Sequence, residues 1–394
     1  MRNRMRNRMR TKMQAKQFSL KQRALAAGCR LGLAVGVAIA AIVAPPAAAA
    51  EPWKPIPVAS APNLGADEIQ FLAPARDGSL FVGTLKGVAR LRGDAIEKVV
   101  ESFGDAKAPP QPPKAWCIAE LADGTLWVGH ERGAVRQKGA DRTNFLAGLQ
   151  VAPIIEVRPG VLWAIAKQGN GAEKGLYRLE GEEWKRIPGS EKLPIEDMKR
   201  TSDGHVWLIV EGNGVLEADP AAEFSAAVHH LQGITVTTIH EDPAADGRPR
   251  TVWAGTWGRG LSSWDGKAWR AHLEKLKESS VLQIARDARG RIWVATSASG
   301  AFHAGPDLAA WKQELADDGS INLLVADRHG NVWVSGQQTG GLRRYDGAEW
   351  LPSLDSPLPI QCLVDAPDGR LVAGGVLDGL HVLAKEAVPK PKAP

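Results

Sequence analysis

The chain has 394 residues, with 49 Lys and Arg against 44 Asp and Glu, and its aromatic set is dominated by 14 Trp beside 7 Phe and 2 Tyr. Ten of the basic residues fall in residues 1–30, which contain no acid, so removal of the first 50 residues reduces the 49 to 39 and reverses the net charge to −5. The basic balance is therefore a property of the N-terminus and gives no argument for nucleic acid binding.

Residues 1–50 read as a secretory signal peptide. A basic arm precedes the uncharged apolar run Leu31–Ala44, which ends in Pro45-Pro46 and a run of alanines. The run is shorter than the roughly 20 residues a spanning helix needs, and the alanine-rich exit suits cleavage near Ala50. The chain is expected to be periplasmic or secreted. Residues 389–394 (PKPKAP) read as a disordered tail.

Between these ends one sentence is repeated. Its clearest copy, Ile321–Leu351, has four short apolar runs separated by tight turns at Asp327–Gly330, Gly340-Gly341 and Asp346-Gly347, the pattern of a four-stranded antiparallel meander. Aligned on the second strand, eight copies have anchors at Phe81, Trp127, Trp163, Trp207, Trp253, Trp293, Trp333 and Val372, spaced 36 to 46 residues apart. That period with four strands per copy is the range of β-propeller blades. The expected fold is all-β, one propeller over residues 51–388 with eight four-stranded blades, or seven if the divergent third or fourth copy is not a full blade. Most anchors follow a turn, as at Asp77-Gly78, Asp123-Gly124, Asp203-Gly204, Arg289-Gly290, His329-Gly330 and Asp368-Gly369. The aspartates there read as turn residues rather than catalytic ones.

Six tryptophans fill the anchor, and Trp53, Trp184, Trp269, Trp311 and Trp350 fall on or near the fourth strand. A large ring at a fixed place in each blade is expected to fill the space between twisted sheets. The eighth copy lacks a fourth strand. Pro52–Pro57 resembles Glu183–Pro188, a fourth strand in the third copy, so the N-terminal strand is expected to complete the last blade. Cys117 and Cys362 fall on inner strands of blades two and eight, too far apart to bridge, and read as free thiols.

The pattern in Ile284–Gly300, Leu324–Trp350 and Thr251–Trp269 resembles the two-component-regulator propeller repeat. The resemblance implies a periplasmic ligand- or partner-binding propeller of the sensor type. The sequence shows no kinase, DNA-binding segment or further apolar span, so kinase signalling is not carried over.

Propellers bind at the mouth of the central channel, where loops entering the first strand meet loops joining the second strand to the third. Trp116, His130, Arg132, Trp257 and Arg259 are the candidate ligand- or partner-binding surface. Trp257 stands outside the structural tryptophan set, and Arg259 suits a carboxylate or phosphate. Loops at 167–174, 337–339 and 377–378 share the same face. Glu120, Glu196 and Asp197 are inner-strand carboxylates that could meet across the channel. The nine histidines show no metal-ligand spacing, and no nucleophile elbow, phosphate loop or dinucleotide fingerprint occurs. No catalytic residue, metal or cofactor is assigned. The reading is a non-enzymatic, monomeric propeller that takes a small molecule or an envelope protein. The alternatives are an envelope assembly scaffold, or a metal-dependent lyase similar to streptogramin lyase, with His130-Glu131 and His240-Glu241 as partial matches.

Overall fold

The computed structural model describes residues 54–56, 68–101, 114–169, 174–222, 224–245, 248–273, 276, 279–336, 342–354, 360–375 and 379–383. The signal segment, Trp53, the tail and the loops at 170–173, 337–339 and 377–378 lie outside the described residues.

Eight four-stranded antiparallel sheets follow one another along the chain, and seven of them take their strands in sequence order. This is an eight-bladed β-propeller. The inner strands are Ile69–Pro74, Ala115–Glu120, Leu149–Arg158, Ile195–Arg200, Val236–Asp242, Val281–Arg286, Ile321–Ala326 and Ile360–Asp365. The divergent third and fourth copies are both full blades. In the eighth, Lys54–Ile56 pairs with Leu380–Leu383, with Lys54 opposite Val382 and Ile56 opposite Leu380. The N-terminal strand thus completes the last blade, and the sheet stack closes on itself without a free end.

The apolar core is divided among eight clusters, each drawn from two neighbouring blades. The cluster of Ile69, Leu80, Val372 and Leu380 joins blade eight to blade one, so the closing seam is packed like the others. The second-strand tryptophans are buried, Trp127, Trp207, Trp253, Trp293 and Trp333 almost completely. Each reaches toward the next blade. Trp127 meets Trp184 edge-on at 5.3 Å, Trp207 meets Trp269 at 6.0 Å and Trp293 meets Trp350 at 5.9 Å. The ring positions expected to fill the gaps between sheets do so.

A buried indole N–H needs an acceptor. In blades five, six and seven an aspartate at or just past the end of the inner strand supplies it: Trp253, Trp293 and Trp333 each donate Nε1 at 2.8 Å to Asp242, Asp287 and Asp327. The corresponding residues in blades three and four are Val157 and Thr201, and there the Trp163 and Trp207 nitrogens are buried without a partner. Blades one and eight anchor on Phe81 and Val372, which have no N–H, and carry Ala75 and Ala366 instead. Asp242 also accepts from Arg286 Nη2 of the following blade at 2.6 Å. Burial would raise its carboxyl, but hydrogen bonds from His240, Arg286 and Trp253 with the Arg286 charge hold it well below the usual carboxylate range.

The turns between first and second strands are built as expected. The Asp77, Asp123 and Asp368 carboxylates accept from the backbone N–H two residues on. The glycines that follow them have positive φ, for example 81° at Gly78 and 87° at Gly369. The same turns link neighbouring blades. The amides of Arg76, Ser202 and Arg328 donate to Glu120, Glu241 and Asp365, each at the end of the next blade's inner strand.

Candidate functional site

The upper end of the ring is set by backbone geometry. In blades two, four, five and six the residue after the second strand donates to the residue just before the same blade's inner strand: Glu131 to Lys114 O, Glu211 to Pro194 O, Trp257 to Thr235 O and Ser297 to Ser280 O. The second-to-third-strand loops and the inner-strand entries therefore share one face.

Seven inner strands carry a register shift immediately after their first residue. The residues skipped by the pairing are Gln70, Trp116, Glu196, Thr237, Leu282, Asn322 and Gln361. A bulge frees a residue from the ladder and re-aims its side chain, so the fold places a ring of seven such residues at the channel entrance. Trp116 is one of them. It is half-buried, and its Nε1 is shielded without a partner. Beside it, Glu68 accepts from Gln70 at 2.9 Å and pairs with Lys114 at 3.1 Å. Burial would raise Glu68, but hydrogen bonds from Gln70 and Lys114, the Lys114 charge and Gln361 hold it below its ordinary value.

Within the channel, Lys199, His240, Gln283, Gln361 and Cys362 contribute to the wall of a cavity of about 400 Å3. Asp197 lies two positions before Lys199 on the same strand face. Both side chains open to the channel space, yet the surrounding wall limits their hydration enough to raise the Asp197 carboxyl, despite the Met198 N–H and the charges of Lys167 and Lys199, and to lower the Lys199 amine. Cys117 and Cys362 are both free, and burial pushes their thiols up to about 11 and about 12.

The sequence-nominated residues separate into three groups. Trp257 is 41% exposed and, with Val228, one of two large exposed hydrophobics among the described residues. Its loop is pinned by the Thr235 bond, by Gly258 N donating to Ser279 O at 2.9 Å, and by a bridge between Trp257 and Ser280. Arg259, two residues on, is exposed. Trp116, His130 and Arg132 lie at the same end of blade two, three blades away from Trp257 in the ring order.

His130 does not present itself to solvent: it is 4% exposed, and its Nδ1 accepts from Arg132 N at 3.2 Å. It ends the second strand opposite Ala115, which points its ring inward. Burial, with Arg142 and Arg132 nearby, pulls its pKa down to about 3. In the unfolded chain it binds a proton near 6.5. The unfolded state therefore binds more protons between those values, and stability present above pH 6.5 is lost as pH falls toward 3. Between pH 7 and pH 4.5 this one group removes about 2–3 kcal/mol. Urea unfolding at the two pH values should show that excess loss in the wild type over His130→Gln; equal losses would mean the ring is not buried neutral.

Of the inner-strand carboxylates, Glu120 is committed elsewhere: it bonds Arg76 N and pairs with Arg90 at 3.4 Å on the opposite face of the ring. Glu196, in the bulge ring, lies 3.7 Å from Lys167. His240 faces Asp242 at 3.3 Å, while Glu241 accepts from Ser202 and Arg250. Neither His-Glu dipeptide brings its two side chains to one point. The bulge ring was legible only in part, because a one-residue register shift leaves no mark on an apolar alternation.

A model described as "Two component regulator propeller" matches residues 275–298, the inner-strand entry and second strand of blade six. The repeat resemblance read from the sequence is thus found independently. No curated protein matches the chain. Among solved structures, the extracellular domain of a hybrid two component system from B. thetaiotaomicron aligns at TM-score 0.50 with 16% identity, covering 84% of this chain and 39% of that one. YCF48 from Cyanidioschyzon merolae aligns at TM-score 0.52 with 15% identity over 75% of this chain and 99% of that one. A computationally designed protein, Ika8, aligns at 0.51 with 10% identity over 80% and 96%. The chain spans 39–57% of the three extracellular-domain structures from B. thetaiotaomicron. These likenesses establish the propeller fold. Among the described residues, no helix is long and apolar enough to cross a membrane.

Proposed function

We propose that this is a non-enzymatic propeller, exported after cleavage near Ala50, that binds a protein partner or small ligand of the cell envelope through the upper face of the ring. The observation that carries this reading is Trp257. A large ring left 41% exposed on a loop held by backbone bonds on both sides loses little conformational entropy when it is covered, which is the usual make-up of an interface anchor. Arg259 beside it adds a fixed cation for a carboxylate or phosphate. Trp116, Arg132 and the Glu68–Lys114 pair extend the surface toward the channel mouth. The extracellular sensor domains that share the fold support export and recognition as its setting.

The test is capture of partners by the mature protein from its own envelope, with covalent crosslinking and mass spectrometry. Trp257→Ala should weaken capture of the specific partner about 10- to 30-fold, the effect of losing an anchor worth about 2 kcal/mol. Circular dichroism of the variant should match the wild type, so that weaker capture reports the lost ring and not a lost fold. Capture that survives both Trp257→Ala and Arg259→Ala unchanged would remove this face from consideration.

A further inference from the structure

We propose that Asp203, His205 and Glu217 form a binding site for one divalent transition-metal ion of the zinc class, on the face of blade four opposite Trp257. One ligand atom from each residue lies within 4.8 Å of the others. His205 Nδ1 is 3.1 Å from Asp203 Oδ2 and 3.2 Å from Glu217 Oε1.

The strand register brings these groups together. Glu217 on the third strand sits opposite Trp207, and His205 is two residues before Trp207, so the two side chains are diagonal neighbours on one face of the sheet. Asp203 belongs to the turn that leads into the second strand. Its two oxygens have separate tasks. Oδ1 holds the turn, accepting from Thr201 Oγ1 at 2.6 Å and His205 N at 3.3 Å, and Oδ2 is turned toward the imidazole.

Hydrogen bonding alone leaves the cluster short of protons. One imidazole nitrogen carries at most one hydrogen, yet two carboxylate oxygens converge on it. The other Glu217 oxygen is already placed by His230. Trp269 Nε1 donates to His230 Nδ1 at 3.3 Å, which leaves the His230 proton on Nε2, 3.0 Å from Glu217 Oε2. This is the outer support that orients a metal-binding carboxylate. Arg250 Nη2 is 2.8 Å from Asp203 Oδ2, an ion pair that offsets part of the carboxylate charge and with which an incoming cation has to share that oxygen.

The edges of 3.1 and 3.2 Å are close to the roughly 3.3–3.6 Å expected of a tetrahedron with metal–ligand bonds of about 2.0–2.2 Å. One borderline imidazole with two hard carboxylates is a mixed set that zinc and its neighbours accept, and a fourth position is left to water. The His205 and Asp203 side chains are 39% and 33% exposed, so an ion can enter from solvent. Spacing along the sequence could not find the site, because the third ligand comes from the adjoining strand.

Metal-stripped mature protein titrated with Zn2+ in a calorimeter should take up one ion with a Kd in the micromolar range or below. His205→Ala and Glu217→Gln should each weaken uptake by at least about 100-fold. The amide oxygen of Glu217→Gln still accepts from His230, which keeps the blade folded. His229→Ala, at a half-buried histidine whose ring contacts Asn213 O, should bind as the wild type does. Folded wild type that takes up no Zn2+ at about 100 μM, uptake unchanged in both ligand variants, or uptake lost in His229→Ala would overturn the proposal.

Discussion

Asp327→Ala lowers the unfolding free energy by about 3–5 kcal/mol, the upper range for removing the shared acceptor of a buried hydrogen-bond network. The carboxylate is 3% exposed and accepts four bonds: the His329 and Asn331 amides on Oδ1, and Asn331 Nδ2 and Trp333 Nε1 on Oδ2. Alanine leaves all four donors in the fold with no water to replace the acceptor, and each unsatisfied group costs about 1–3 kcal/mol before relaxation. Urea unfolding followed by tryptophan fluorescence measures the change. Asp327→Asn keeps one acceptor oxygen but turns an NH2 toward donors, so it should fall between wild type and alanine. The eighth blade supplies the internal control. Ala366 occupies the same place where the anchor is Val372, and Ala366→Asp should not stabilise, because no indole is there to receive it. A loss under about 1 kcal/mol for Asp327→Ala would show that the indole and turn find other acceptors.

Gly129→Val should cost about 3 kcal/mol or more, at the upper end of overpacking effects. A Cβ at Gly129 would stand 2.4 Å from the Val151 carbonyl oxygen and 2.7 Å from Cys117 Sγ. The first is backbone of the next blade and cannot rotate away. Gly374 has a different neighbourhood: its Cβ would meet the Cys362 sulfur at 2.6 Å and the Ile69 side chain at 2.7 Å. The sulfur can swing aside, while the Ile69 Cβ moves only with its backbone, so the smaller added group should make Gly374→Ala the milder of the two. Thermal unfolding of both variants, compared with wild type, checks the order. A reversed order would mean that the seam between blades two and three yields more readily than its packing implies.

Much of this architecture could be read from the chain because it rests on period-two and period-forty patterns. The anchors Trp127 to Trp333 mark second strands, turn glycines mark the hairpins, and the likeness of Pro52–Pro57 to Glu183–Pro188 announced how the ring closes. What escaped was each residue's partner in the neighbouring blade. The glycine after Trp127-Val128 looked like part of a strand motif, and only the approach of Val151 explains it. Asp287 and Asp327 stand in turns beside the more familiar Asp-Gly positions, and nothing local says that an indole six residues on needs them. His130 looked like an exposed loop residue because it borders Glu131 and Arg132, yet pairing with Ala115 turns it inward. Trp116 was placed on the right face, but its bulge was not foreseen. Properties carried by one strand were legible; those made between blades were not.

The pairing of Lys54–Ile56 with Leu380–Leu383 also fixes an order of events in time. The first strand of the ring to leave a ribosome is the one whose partner comes last, nearly a whole chain length later. Until Leu383 has arrived, the earlier blades form an arc with an unpaired edge at each end, and contacts that wait on such distant partners form slowly. Local hairpins give each blade early, but the seam of Ile69, Leu80, Val372 and Leu380 that joins the ends cannot assemble before delivery is complete. A stalled or truncated chain is therefore left as an open arc whose free strand edges can pair with a second copy.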